Sequence, residues 1–63
     1  MLTLKEAREA KGFSQAYVAD RILVDQAAIS NWERGINPPL KKYRKHLAKI
    51  LGVKESEIDE FKE

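Results

Sequence analysis

Residues 15–34 read QAYVADRILVDQAAISNWER, and the fold turns on this stretch. Ser14, just ahead of it, and Asp25, inside it, are good helix N-caps, because their side-chain oxygens can accept the free amides of a first turn. Two short helices are therefore predicted, one from the Ser14 cap through Arg21 and one from the Asp25 cap to Gly35. Only Ile22, Leu23 and Val24 separate them, too few residues for an antiparallel pair, so the helices must cross steeply. Val18, Ala19, Ile22, Val24, Ile29 and Trp32 take the inward positions, with Ala19 small where the helices come closest. The outward face of the second helix then carries Gln26, Ala27, Ser30, Asn31 and Arg34.

Outward from this unit, Thr3 and Glu6 form a capping-box pair, which predicts a first helix from Leu4 to Lys11 with Leu4, Ala7 and Arg8 on one face. Gly12, Gly35 and Gly52 each follow a helical segment with a late basic residue, as expected at helix C-termini. Asn37-Pro38-Pro39 cannot continue a helix, so a loop intervenes. From Leu40 the apolar residues Leu40, Tyr43, Leu47, Ile50 and Leu51 recur at helical spacing, opposite Lys41, Lys42, Lys45 and Lys49. Gly52 closes that fourth helix. Val53 and Ile58 are spaced as a hydrophobic staple around Lys54, with Glu55 and Glu57 near the positive helix end, which predicts a short fifth helix reaching Lys62. The expected architecture is all-α: five helices in one compact domain over residues 1–63, since a chain this short cannot divide its core.

The chain holds no cysteine, so neither a disulfide framework nor a Cys-type zinc site supports its small core, and a reducing cytoplasm fits. Its longest apolar run is a few residues, far below the ~20 that span a bilayer, and its N-terminus lacks a signal-peptide pattern. The expectation is a soluble cytoplasmic protein without a membrane partner. His46, the only histidine, has no ligand pattern around it, so no metal is expected. No nucleophile with a base, no glycine-rich phosphate loop and no carboxylate pair in an evident cleft points to catalysis, so neither an enzyme nor a cofactor or small-molecule ligand is expected.

Net charge is only +2, but residues 34–52 hold six basic and no acidic groups, whereas residues 1–33 are net −1 and residues 53–63 net −3. A concentrated basic block suits a surface facing phosphates, where each neutralised phosphate releases counterions. Taken alone it would better suit an ordinary solvated helix face. The outward Gln26 and Asn31 decide between these, because Gln or Asn on an exposed helix can make paired hydrogen bonds to the N6 and N7 edge of adenine.

The chain resembles, over nearly its whole length, the phage-repressor-like helix-turn-helix family, the Cro and lambda-repressor type often called XRE regulators. The residues that carry the resemblance are Leu4 and Arg8, Gly12-Phe13-Ser14-Gln15, Val18-Ala19, Ile29-Ser30-Asn31-Trp32-Glu33-Arg34-Gly35, Pro39, Leu47-Ala48 and Leu51-Gly52-Val53. It implies a lambda-repressor-like domain whose helices 2 and 3 form the motif, and a sequence-specific transcriptional regulator of double-stranded DNA, in most cases a repressor. Helix 3 would enter the major groove, and a homodimer would cover a palindromic operator. The source would be bacterial, archaeal or phage.

Position by position, the resemblance makes Gln26, Ala27, Ser30 and Asn31 base-facing, and Gln15, Arg34, Asn37, Lys41 and Lys42 phosphate-binding. Ala27 departs from the polar side chain common there and offers only apolar contact, such as to a thymine methyl. Arg8 and Glu33 would pair in a partly buried salt bridge, and Trp32 and Phe13 would anchor the core. Ile58 and Phe61 of the fifth helix are the expected dimer contacts. Leu23 stands where the family usually has glycine, so either it accepts an unfavourable backbone angle or the turn is rebuilt. Arg44 also occupies a place that is often apolar. Two rival classes, a protein-interaction module and a non-specific nucleoid-type DNA binder, make different predictions for Asn31→Ala and for salt dependence.

Overall fold

Thr3 starts the first helix by exchange: its hydroxyl accepts from the Glu6 amide at 3.0 Å, and the Glu6 carboxylate accepts from the Thr3 amide at 2.9 Å. The bond from the Thr3 amide, with a smaller contribution from the nearby Thr3 hydroxyl, holds the Glu6 carboxyl below the ordinary carboxylate range. The computed structural model describes residues 2–61. Helix α1 spans Leu4–Ala10, α2 Gln15–Ile22, α3 Gln26–Glu33 and α4 Lys41–Leu51. Ser14 caps α2 by accepting from the Tyr17 amide, and Asp25 caps α3 by accepting from the Ala27 amide, each at 3.0 Å.

All four helices end alike. In each, two backbone amides just past the last turn reach back to carbonyls five and three residues earlier, the paired bonds of a Schellman motif. The residue at the hinge of that motif must be left-handed, and Gly12, Gly35 and Gly52 supply it at φ +74°, +74° and +68°. The residue after each hinge is apolar: Phe13, Val24, Ile36 and Val53. At the end of α2 the hinge is Leu23, at φ +60° and ψ +46°. Of the two alternatives for this turn, leucine has taken the unfavourable angle, and the usual turn geometry is kept.

A β-carbon in the left-handed region costs roughly 1–2 kcal/mol, partly offset in a glycine variant by the greater freedom of its unfolded chain. Leu23→Gly should therefore stabilise the protein by about 1 kcal/mol, raising the melting temperature by about 4–8 °C. Thermal denaturation followed by circular dichroism would show it; a neutral or lower midpoint would mean that the Leu23 side chain repays its backbone within the fold.

The core collects Leu4 and Ala7 from α1, Val18, Ala19 and Ile22 from α2, Ile29 and Trp32 from α3, and Leu47 and Leu51 from α4. The Trp32 and Tyr43 rings lie 5.6 Å apart and tilted, which joins α3 to α4. Leu40, expected on the inner face, is the residue before α4 and is largely exposed, while Pro39 is fully buried. The proline ring fills the site, and Arg44 secures it by donating from Nε to the Pro39 carbonyl at 3.0 Å.

Beyond α4 the expected fifth α-helix is replaced, among the described residues, by two single 3₁₀ turns, Glu55–Glu57 and Asp59–Phe61. Its expected end at Lys62 lies outside the described residues. Ile58 between the turns is extended and forms a parallel bridge with Leu2. The Leu2 amide donates to the Glu57 carbonyl and the Asp59 amide to the Leu2 carbonyl, both at 2.8 Å. A helix this short is marginal alone, so pairing with the N-terminal segment wins. Glu60 adds to the junction by accepting from the Leu4 amide at 2.7 Å, at the positive end of α1.

Candidate nucleic-acid interface

The α3 side chains that do not enter the core fall on one side of the molecule. Gln26 and Ala27 are exposed and Ser30 and Asn31 half-buried, a spacing that places them together on consecutive turns. Ala28, Ile29 and Trp32 face inward instead. Asp25, the nearest carboxylate in sequence, is committed to the Ala27 amide. This face is polar, shallow in side-chain length and set on a rigid helix.

What holds α3 in place is a buried polar network. Arg8 Nε lies 2.6 Å from Glu33 Oε2, and a second guanidinium nitrogen donates to Glu33 Oε1 at 3.1 Å. The third donates to the Phe13 carbonyl at 2.7 Å, so α1, the α1–α2 loop and α3 meet at one guanidinium. Both side chains are about nine-tenths buried. The Glu33 carboxylate keeps the Arg8 guanidinium protonated above even its ordinary range. No buried side-chain nitrogen or oxygen among the described residues lacks a partner.

Gln15 also belongs to this network: its side-chain amide donates to Glu33 Oε1 at 3.0 Å. The chemistry of Gln15 marked it as a donor, but the sequence could not indicate a partner on α3. One N–H is used in that bond and the amide carries a second.

Arg34, Asn37, Lys41 and Lys42 are all exposed along the segment from the end of α3 to the start of α4. Helix α4 begins without a side-chain cap and without an acidic residue in its first turn. Two lysines therefore stand at the positive end of a helix dipole, an arrangement that disfavours itself until an anion arrives. Lys42 Nζ sits 5.1 Å from the centre of the Tyr43 ring, which ties this basic end to the aromatic contact with Trp32.

Ile58 and Phe61 do not belong to any exposed surface. Ile58 is 0% and Phe61 5% exposed, because the bridge to Leu2 turns both into the core. Expected as dimer contacts, both are instead taken up by the core of the single chain. Large apolar side chains left outside are Tyr17, Leu23, Ile36 and Leu40; Ile36 and Leu40 flank Asn37 in the α3–α4 loop, and nothing in their sequence pattern separated them from core positions.

Among the described residues no helix is long and apolar enough to cross a membrane. A family model described as helix-turn-helix matches residues 4–58, from the start of α1 to the bridge residue Ile58. Comparison with curated proteins and with solved structures gives no significant match.

Proposed function

The chain belongs to the phage-repressor-like helix-turn-helix family of DNA-binding transcription regulators, and on that basis we propose that residues 1–63 act as one domain that represses transcription by occupying a palindromic operator. Helix α3 lies in the major groove, where Gln26 and Asn31 pair with base edges, Ala27 meets a thymine methyl and Ser30 contacts either strand. Arg34, Asn37, Lys41, Lys42 and the second N–H of Gln15 hold the phosphates on either side. The observation that carries this reading is the conjunction of the polar α3 face with an uncapped, lysine-bearing α4 N-terminus.

Repression needs nothing more than occupancy, which excludes other proteins from the same DNA. A recognition helix of eight residues reads few base pairs, and pairing two half-sites about one turn apart is the usual remedy. With Ile58 and Phe61 in the core, the homodimer we propose closes through the exposed Ile36 and Leu40, next to the residues that would grip phosphate. Sedimentation showing monomer both free and on DNA would remove the dimer.

The test is selection from a random duplex library, then affinity for the selected and a scrambled site across a salt series. A palindrome bound about 10³-fold or more above the scrambled control supports the operator reading; equal affinity, or no enrichment, defeats it. In the same series Lys41→Ala and Lys42→Ala should each weaken binding to all sequences alike and reduce the salt slope by about 1. A changed sequence preference in either variant would move that lysine from the phosphates to the bases.

A further inference from the structure

Leu23 is the one described residue whose backbone and side chain are both placed against their own preferences. Among the described residues it is the only non-glycine with positive φ, and its side chain is 90% exposed. Glycine would suit the turn better, and a polar residue would suit the solvent better. Neither packing nor turn geometry accounts for a leucine here.

The side chain stands at the rim of an open groove of about 470 Å³ lined by Arg21, Ile22, Leu23, His46, Lys49 and Ile50. Its apolar part is Ile22, Leu23 and Ile50; the rest is basic or imidazole, and no carboxylate lines it. Arg21 and Lys49 each lie in the last turn of a helix, where a cation complements the dipole. That accounts for the two charges and leaves the leucine unexplained. The groove sits at the C-terminal ends of α2 and α4, whereas Gln15, Lys41 and Lys42 stand at their N-terminal ends, with Lys49 about 12 Å along α4 from Lys41. Its α4 side is therefore set apart from those phosphate contacts, while Leu23 on its α2 side lies three positions before the base-facing Gln26.

We propose that this groove is a docking site for a segment of another protein that presents a leucine-like side chain flanked by carboxylates. Leu23 and Ile50 receive the apolar side chain, and Arg21 and Lys49 receive the acids. The charge pattern selects the partner: a basic rim without a single carboxylate repels cationic segments and favours acidic ones. A second copy of this chain does not fit the requirement. Its acidic stretch, Glu55 to Glu60, has its one apolar residue, Ile58, and the neighbouring Phe61 buried, so it brings charge without an anchor.

The experiment is a titration of the ¹⁵N-labelled full chain, read from amide chemical shifts, with three synthetic helical peptides and a short duplex of unrelated sequence. The first peptide carries leucines flanked by glutamates, the second replaces the glutamates by lysine, and the third replaces the leucines by glutamine. Shifts gathered on residues 21–23 and 46–50 with the first peptide only are expected. Leu23→Gly, which should fold more stably than the parent, is expected to bind that peptide about tenfold or more weakly, the loss of a partly buried leucine contact. Lys49→Glu should lose it as well. Four outcomes would overturn the proposal: no shift at these residues, equal binding of the lysine or glutamine peptide, unchanged affinity in Leu23→Gly, or shifts produced by the duplex on the α4 side of the groove, at residues 46–50, which would make it a phosphate contact.

Discussion

Glu33→Ala will remove about a third or more of the protein's folding stability at room temperature, and all of it at the low end of the range expected for a chain this short. A chain of 63 residues has a stability of roughly 3–9 kcal/mol at ordinary per-residue values. Removing one member of a buried ion pair costs about 3–5 kcal/mol, because the remaining charge stays in the interior without compensation. Here the stranded group is Arg8, with about one-tenth of its side chain exposed, and Gln15 loses its acceptor at the same time. Arg8→Ala should be as damaging, since it takes the guanidinium away from the Phe13 carbonyl and leaves the buried Glu33 charge with only the neutral Gln15 amide as a side-chain donor. The informative variant is the double replacement Arg8→Met with Glu33→Leu, which removes both charges and fills their volume; it should be more stable than either alanine variant. Urea denaturation of the set decides the matter. Single-variant losses under about 1 kcal/mol would mean that water reaches the pair and that it contributes no more than a surface contact does.

The second large effect concerns recognition. Gln26→Ala combined with Asn31→Ala should lower the preference for the selected operator over a scrambled site by on the order of 10²-fold or more, because each good paired contact to a base is worth about 1–3 kcal/mol of discrimination. Binding to unrelated DNA should barely change, since phosphate contacts supply nearly all of it. Alanine is a strong helix former, and neither side chain belongs to the core, so circular dichroism should show the fold kept. If the double variant retained the full preference, α3 would not be the reading helix. A protein that discriminated through DNA shape would behave that way.

Much of this arrangement could be read from neighbouring residues. Caps and helix ends are local devices, settled by groups two to five positions apart, so Thr3 with Glu6, Ser14, Asp25 and the three glycines marked their helices to within a residue or two. Leu23 shows where local reading stops: the sequence left two forms of the turn open, and the choice rests on the Val24 amide reaching the Ala19 carbonyl while α2 and α3 pack together. The 54–61 segment has every local mark of a helix start. It is diverted by hydrogen bonds to Leu2, more than fifty positions away, which no pattern inside the segment reveals. The exchange of Leu40 for Pro39 at the buried site is different: Arg44 reaches back only five positions to the Pro39 carbonyl, but helical spacing alone does not decide which of two adjacent apolar residues the core takes. At the interface, residue types could be read and partners could not: Gln15 advertised a donor, but its acceptor lies eighteen positions along the chain.

The pairing of Leu2 with Ile58 has a topological consequence. Among the described residues it closes the chain nearly into a ring, with Leu2 and Ile58 side by side on a body about 23 × 22 × 19 Å across. Chain running back from Leu2 and chain running on from Ile58 therefore start from neighbouring points, so tethers attached through either would share an origin on the body. A linker from the segment after Ile58 back to Leu2 would start beside its own destination, which makes the domain a natural subject for circular permutation.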